Sequence, residues 1–291
     1  MRKLIATTIL YASFIALASQ ANASGLGQPV EWQMGLQQAA TPVMEFIHTF
    51  HGFLLTIITI ISLFVLGLLI YVMVKFNAKS NPTPSKTSHN TFIEVVWTVV
   101  PILILIAIAI PSFRLLYLQR EIPVADMTVK AIGNKWYWDY EYPDNDGISF
   151  TAAIKADEDL KDGEPRLLTA DTEVVVPVNK VVRLIVTAND VLHSWTVPSF
   201  GTKIDAVPGR LNEAWFKAEK EGIFYGQCSE LCGKDHAFMP INVRVVSEDE
   251  FKAWVEKAKT AGVEEAQKHL ASILTTKGKL ALNAAGKAEN N

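Results

Sequence analysis

The chain has 291 residues, of which 49% are hydrophobic, and its formal net charge is -3. A slightly acidic chain without a run of basic residues gives no support for nucleic-acid binding. The length allows two domains of ordinary size, and the high apolar content indicates that part of the chain enters a membrane.

The first 23 residues have the features of a secretory signal peptide. Two basic residues open the chain, an apolar stretch follows over residues 4–18, and Ala21-Asn22-Ala23 offers small side chains for cleavage. A first transmembrane helix is the alternative, but the apolar stretch is too short and polar residues follow it at once. We therefore expect residues 1–23 to be removed, and residues 24–49 to form a periplasmic N-terminal segment.

Two long uncharged stretches, residues 52–74 and 95–113, predict transmembrane helices. About 20 apolar residues are enough for a helix to cross a bilayer. The second stretch contains two prolines, which a membrane helix tolerates where its neighbours satisfy the freed backbone groups. We expect residues 50–120 to form a transmembrane α-helical hairpin.

The segment that joins the two stretches is basic, since residues 75–92 carry three lysines and no acidic side chain. The positive-inside rule places such a short loop in the cytoplasm. The N-terminal segment and everything after residue 120 would then lie on the periplasmic side of a bacterial inner membrane. Glu94 stands at the cytoplasmic start of the second span. Its carboxylate is either solvated among headgroups or part of a proton path completed by a larger membrane partner.

From residue 121 the pattern changes to short β-type runs separated by Gly, Pro and Asn-Asp. The predicted strands cover residues 127–132, 136–142, 174–178, 181–187, 213–218, 223–227 and 240–246. Many short strands with turn signals predict an all-β Greek-key sandwich or barrel, and residues 121–246 are a suitable length for one such domain.

The last part of the chain, residues 247–291, predicts helix. Ser247 and Glu250 have the spacing of a capping box, and the apolar side chains that follow fall on one helical face. Beyond residue 261 the composition is rich in Ala, Lys and Glu. This predicts a marginal helix that gives way to a disordered tail.

One short stretch holds both cysteines of the chain. Cys228 and Cys232 are followed by His236 and Met239, and His193 lies upstream. Thiolate, imidazole and thioether are the ligands that copper prefers. A blue-copper ion takes only one cysteine, so the second one suggests two copper ions that share two sulfur atoms.

Three other interpretations of this stretch stay open on spacing alone. Zinc also accepts cysteine and histidine, although it does not seek a thioether. An exported protein often forms disulfides, although a bridge between such close cysteines stabilises little. Met239 could also simply fill space in a hydrophobic core, which is the usual fate of methionine.

Taken together, these motifs resemble subunit II of haem-copper cytochrome c oxidase. The resemblance runs in one register from about residue 53 to residue 254. It rests on the two spans and on four motifs: Trp136-Tyr137-Trp138, Leu192-His193-Ser194-Trp195, the Asp-Ala-Val-Pro-Gly-Arg-Leu-Asn of residues 205–212, and the Tyr-Gly-Gln-Cys-Ser-Glu-Leu-Cys-Gly of residues 225–233.

The resemblance implies a cupredoxin fold for the β domain and an electron-entry function. Such a subunit accepts electrons from cytochrome c at a dinuclear copper A centre. It passes them to haem in subunit I, where oxygen is reduced to water and protons are translocated. The implied copper ligands are His193, Cys228, the backbone carbonyl of Glu230, Cys232, His236 and Met239.

The resemblance also implies roles outside the copper site. The Glu230 carboxylate would reach a magnesium or manganese ion shared with subunit I. Trp136 would receive the electron from cytochrome c, the alternative being an ordinary core tryptophan, and Glu94 would stand at the mouth of a proton path. Acidic side chains would attract a basic haem protein; those that match the family are Glu141, Asp144, Asp171 and Asp190.

Two other functions are compatible with an anchored cupredoxin. A non-redox subunit of a quinol oxidase would keep the fold, but such relatives lack the copper ligands. A stand-alone protein for copper delivery or storage would keep the ligands, but it would give Glu94, Glu230 and Trp136 no task.

Overall fold

The computed structural model describes residues 26–288, with side chains described as far as Lys277. The predicted signal peptide, residues 1–23, lies outside the described residues. The chain divides into two units: residues 45–121 form one, and the segments before and after them together form the other.

The first unit consists mainly of two long helices, α1 (Pro42–Lys75) and α2 (Thr91–Arg120). Both are long and apolar enough to cross a membrane, which confirms the prediction, and each extends several residues beyond the apolar stretch. Each helix has an acidic residue in its first turn and a basic residue in its last turn, which complements the helix dipole.

The second unit is a β-sandwich. Its described residues form ten strands: β1 (Met127–Asn134), β2 (Tyr137–Tyr142), β3 (Ile148–Ala152), β4 (Val174–Pro177), β5 (Val181–Ala188), β6 (His193–Val197), β7 (Thr202–Ala206), β8 (Asn212–Lys217), β9 (Gly222–Gln227) and β10 (Pro240–Val246). One sheet has the order β3-β2-β1-β5-β8 and the other the order β4-β10-β9, while β6 and β7 form a separate ribbon. The pairs β1–β5 and β4–β10 are parallel. The predicted all-β fold is confirmed.

Strands β3, β6 and β7 are additional to the strands predicted from sequence. The β6 segment, His-Ser-Trp-Thr-Val, lacks the apolar alternation of a half-buried strand because four of its five residues are buried, polar ones included. The difference matters for the site. His193, which follows the predicted strand 181–187 in the sequence, is the first residue of β6.

The core lies between the sheets and is rich in aromatic side chains. Trp138, Tyr140 and Tyr142 project inward from β2 at alternate positions and are almost fully buried. The Tyr142 hydroxyl ties the sheets together, because it donates to the Val175 carbonyl at 3.0 Å and accepts from the Val175 N–H at 2.8 Å. Fully burying one large apolar side chain stabilises the fold by about 2–3 kcal/mol. The sandwich is therefore a rigid support for the loops at its ends.

Residues 26–44 pack on the β-sandwich. The Tyr225 N–H donates to the Gly27 carbonyl at 2.8 Å, and the Ala40 N–H donates to the Ser199 carbonyl at 2.9 Å. The Thr41 hydroxyl donates to the Phe200 carbonyl at 2.7 Å, and Ala40, Val43 and Met44 are buried. Residues 26–44 of the predicted N-terminal segment are thus part of this unit, whereas residues 45–49 lie in α1 and belong to the other unit.

Two helices follow the last strand, α3 (Glu248–Ala261) and α4 (Val263–Ala288). The structure contains the capping box at Ser247 that the sequence predicts. Helix α4 differs from the expected marginal helix over the part whose side chains are described. Ala266 and Leu270 are buried, with Leu274 packed beside them, and the Gln267 side chain donates to the Glu173 carbonyl at 2.6 Å. This apolar stripe at four-residue spacing stabilises a helix whose overall composition alone suggests disorder.

Candidate metal centre

The ligand loop connects β9 to β10 and is closed at its base by backbone pairing. Cys228 follows β9 directly, Met239 precedes β10, and the Cys228 N–H donates to the Met239 carbonyl at 2.9 Å. The next residue fixes the loop to a third strand, because the Ser229 N–H donates to the Ser194 carbonyl of β6 at 3.0 Å. Since His193 opens β6, the strand pairing brings this distant histidine to the loop.

Four donor side chains form an elongated array with one imidazole at each end. His193 Nδ1 lies 3.8 Å from Cys228 Sγ, the two sulfur atoms are 3.9 Å apart, and Cys232 Sγ lies 3.5 Å from His236 Nδ1. A disulfide bond is only about 2.0 Å long, and both cysteines are free thiols here. The structure thus contradicts the disulfide interpretation.

The array is sheltered from water, which suits a soft metal and a fixed geometry. His193, Cys228, Cys232 and Met239 are all buried, while His236 is half-buried. Two further candidate ligands belong to the same loop. The Glu230 carbonyl is 3.3 Å from Cys228 Sγ, and the Met239 side chain is fully buried in the core beside the loop. The residues present therefore fit a copper centre, with thiolates, imidazoles, a thioether and a carbonyl together.

Two glycines permit the close packing around the array. A Cβ at Gly133 would lie 2.7 Å from the His193 ring, so any larger residue there would displace the imidazole. A Cβ at Gly226 would lie 1.9 Å from the Thr196 carbonyl oxygen, so only glycine lets β9 approach β6 this closely. The close packing at Gly133 and Gly226 holds the ligand-bearing segments against the sheets.

The protein environment favours charge separation within the array. Burial raises the pKa of the Cys228 thiol, but hydrogen bonds with His193 and with nearby backbone outweigh burial, so that its pKa is lowered overall. Burial raises the pKa of Cys232, and the adjacent Cys228 sulfur raises it further. Cys228 is therefore the thiol that loses its proton more readily. Cys232 holds its proton more tightly and loses it when a metal ion binds.

His193 has a carboxylate partner on its far side. Its Nε2 lies 2.9 Å from Asp190 Oδ1. A carboxylate can only accept, so Nε2 carries the hydrogen and leaves the Nδ1 lone pair facing the cysteines. Burial lowers the pKa of His193, whereas Cys228 and Asp190 raise it, and they prevail. This orienting role of Asp190 was not predicted from the sequence.

Comparison with known families gives two matches that cover most of the chain. The family model for the periplasmic domain of cytochrome c oxidase subunit II matches residues 127–246. The model for the transmembrane domain of the same subunit matches residues 29–115. The chain belongs to the cytochrome c oxidase subunit II family.

Individual members of the subunit II family are similar over most of their length. The probable cytochrome c oxidase subunit 2 of Rickettsia bellii is 55% identical over 78% of this chain and 85% of that protein. Cytochrome c oxidase subunit 2 of Cereibacter sphaeroides is 47% identical over 86% of this chain and 88% of that protein. A crystal structure of the subunit II periplasmic domain of Bradyrhizobium japonicum is 60% identical, with a TM-score of 0.45, and covers 48% of this chain and 97% of that one.

Family membership establishes the general role. As a subunit II chain, this protein spans the membrane with two helices, carries a cupredoxin domain and serves as the electron-entry subunit of a haem-copper oxidase complex. It is one part of an oxidoreductase that includes other subunits.

Trp136, the proposed electron-entry residue of this subunit, lies in the β1–β2 turn against the ligand loop. A Cβ at Gly233, the residue after Cys232, would lie 3.2 Å from its indole ring. The side chain is half-buried and packs on the core, and within the described chain its indole N–H has no hydrogen-bond partner. Its position therefore depends on ring packing and not on a hydrogen bond.

The Glu94 carboxylate has a local hydrogen-bond partner, whereas Glu230 is exposed. The Glu94 carboxylate accepts from the Asn90 N–H at 3.2 Å, which closes the first turn of α2 while Asn90 caps it. Glu230 is exposed, so its carboxylate is free to meet another subunit although its carbonyl faces Cys228.

The four acids expected to attract cytochrome c do not have equal surroundings. Glu141 pairs with Lys130 at 3.0 Å through one carboxylate oxygen. Asp144 and Asp171 each accept one backbone N–H, from Thr128 at 2.6 Å and Ala153 at 2.9 Å. Asp190 differs because both of its carboxylate oxygens are engaged inside the domain.

Proposed function

We propose that this chain accepts electrons from cytochrome c at a dinuclear copper A centre and delivers them to haem in subunit I. His193 and His236 would each cap one copper ion, Cys228 and Cys232 would bridge the two, and Met239 with the Glu230 carbonyl would be the weak ligands. Each ion supplies one-electron redox chemistry when bound.

The observation that carries this proposal is the elongated shape of the array. A single tetrahedral zinc ion would bring all four donors within about 4 Å of one another, because its bonds are about 2.0–2.3 Å long. Here His193, Cys228 and Cys232 place donor atoms within 4.8 Å of one another, and His236 is not part of that group. Two sulfur atoms in the middle and one imidazole at each end favour a pair of ions.

The protein holds the donor atoms in fixed positions and keeps water away from the thiolates. The loop is held by β6, β9 and β10, so its donor atoms keep their positions between oxidation states. Two thiolates spread the negative charge over the array, and burial excludes water from it. A site that reorganises little on reduction suits rapid electron transfer. The half-buried Trp136 ring beside Gly233 gives an electron a short path from the surface.

We further propose that the exposed Glu230 carboxylate reaches a magnesium or manganese ion shared with subunit I. Carboxylate oxygen is a preferred ligand of both ions. A carbonyl on the copper side and a carboxylate on the partner side would make this one residue a link between the subunits. Glu141, Asp144 and Asp171 keep a free carboxylate oxygen each and are proposed to attract the basic donor at long range.

The three lysines between the spans support a cytoplasmic loop, with the copper domain on the periplasmic side of the inner membrane. In that orientation Glu94 lies at the cytoplasmic end of α2, where it is proposed to begin a proton path into subunit I. We expect Glu94→Gln to slow proton uptake by the oxidase in vesicles while the copper spectrum stays the same. If proton uptake were undiminished, Glu94 would not begin a proton path and would only stabilise the first turn of α2.

The main test is the metal content and spectrum of the full-length chain, purified in detergent and loaded with copper. We expect two coppers per chain, a purple colour and a mixed-valence electron spin resonance signal, because one unpaired electron is shared by two ions. A colourless zinc-binding form or a single blue copper would refute the dinuclear centre. A dinuclear chain that purifies without a haem-bearing partner would instead support copper storage.

A further inference from the structure

The turn between β1 and β2 carries Trp136 and is closed by Asn134. Asn134 is the last residue of β1 and pairs with Tyr137, the first residue of β2, so that Lys135 and Trp136 form the tip of the turn. The Trp136 ring lies against Gly233, and in the described chain its buried indole N–H has no hydrogen-bond partner. The position of the ring therefore depends on packing and on the backbone of this turn.

A row of four polar side chains attaches this turn to the sheet. The Thr151 hydroxyl donates to Asp139 Oδ1 at 2.6 Å, and the Asn134 side chain donates to Asp139 Oδ2 at 2.9 Å. The Asn189 side chain in turn donates to Asn134 Oδ1 at 2.9 Å. The first three residues belong to β3, β2 and β1, and Asn189 directly follows β5. Because the sheet order is β3-β2-β1-β5, the polar row crosses four neighbouring strands beside the turn.

Asn134 is the central and most buried member of the polar row, since it is only 7% exposed. Its amide nitrogen has a second acceptor in the Ile132 carbonyl at 3.2 Å, so both of its N–H groups are used. The Asp139 carboxylate can only accept, which fixes the orientation of the Asn134 amide and leaves its Oδ1 to accept from Asn189. A buried amide that lost these bonds would be unfavourable, and this holds the row together.

We infer that Asn134 is a positioning residue for electron entry, because it joins the turn to β2 and to the end of β5 and so holds the Trp136 ring against the ligand loop. This inference rests on the proposed entry of electrons at Trp136. A second bond supports the same attachment, since the Lys135 N–H donates to Asp190 Oδ2 at 2.8 Å. Asn189 and Asp190 both lie in the β5–β6 loop, so the turn is bonded twice to the segment that leads to His193.

The test is Asn134→Asp in the intact oxidase, which keeps the size of the side chain but turns a carboxylate oxygen toward Asp139. We expect the rate of copper-centre reduction at saturating reduced cytochrome c to fall about three- to tenfold, because a displacement of about 1 Å can cost up to 100-fold. Saturation separates this rate from docking, and the copper content and spectrum should stay the same. The double variant Asn134→Asp/Asp139→Asn should restore the rate, since the amide at position 139 then donates to the carboxylate at position 134.

Asn179→Asp is the matched control, because it adds the same charge at the exposed turn before β5, where the positive φ of 62° suits aspartate. Its reduction rate should equal that of the unmodified chain. If Asn134→Asp lowered the Tm without slowing reduction, altered the copper spectrum, or were not rescued by the double variant, the inference would be wrong. If Trp136→Ala were reduced at the unmodified rate, the proposed entry role itself would fail, so the two failures are distinguishable. Retained haem and subunit content show that the variants have assembled.

Discussion

Cys232→Ser is expected to remove the dinuclear copper signal and to reduce electron transfer from cytochrome c by more than about 100-fold, since changing even a ligand's hydrogen-bond partner costs 10–100-fold. The full-length chain should bind at most one copper ion instead of two. Metal analysis, electron spin resonance and turnover of the assembled oxidase measure the three effects.

The size of this effect follows from the geometry of the array. Cys232 Sγ lies 3.9 Å from Cys228 Sγ and 3.5 Å from His236 Nδ1, so it contacts both of these ligands. A serine hydroxyl is smaller and remains protonated near neutral pH. The variant would therefore lose one bridging thiolate and the sulfur that lies 3.5 Å from His236 Nδ1.

Lys234→Ala is the matched control, since Lys234 is exposed and lies in the same loop between the ligands. It should keep both coppers and the mixed-valence signal. A Cys232→Ser chain that still bound two coppers with an unaltered signal would show that Cys232 does not bridge, and a single-metal site at Cys228 and His193 would have to replace the array.

The ligand loop could be predicted from sequence because its donors are close along the chain. Cys228, Cys232, His236 and Met239 lie within twelve residues, and their chemical types alone indicate copper. Excluding a disulfide needed coordinates, because spacing does not say whether the sulfur atoms are bonded. His193 could be named as a candidate from its residue type, but its place beside the loop needed coordinates, since the strand pairing that brings it there joins distant segments.

The task of Asp190 could not be predicted from its position in the sequence. It is one of many acids in an acidic domain, and an exposed docking role was the natural expectation. Its carboxylate also accepts from the backbone N–H groups of Lys135 and Val191, and backbone donors have no residue-type signature. The order of helix α4 likewise could not be predicted from the sequence. Its composition suggests disorder, whereas the burial of Ala266 and Leu270 depends on tertiary packing that composition does not show.

Trp136→Ala is expected to slow electron entry from cytochrome c by at least about tenfold, given that displacing reacting groups by about 1 Å can cost 100-fold. The reason is the position of the ring. It packs against Gly233, next to the Cys232 ligand, and is half-exposed toward the solvent. Removing the indole leaves a gap of several ångströms between the surface and the array. The measurement is the burst rate of copper-centre reduction after rapid mixing with reduced cytochrome c.

The variant must keep the metal centre for this result to concern electron entry. A fully buried tryptophan costs about 3–5 kcal/mol when replaced by alanine, and the half-buried Trp136 should cost less. The matched control is Trp32→Ala, because Trp32 is 96% exposed and belongs to the same unit. Both variants should retain two coppers and an unchanged KM for cytochrome c. Rapid reduction of the Trp136→Ala centre would show that electrons enter elsewhere, whereas slow reduction with an intact spectrum would assign the entry point to this ring.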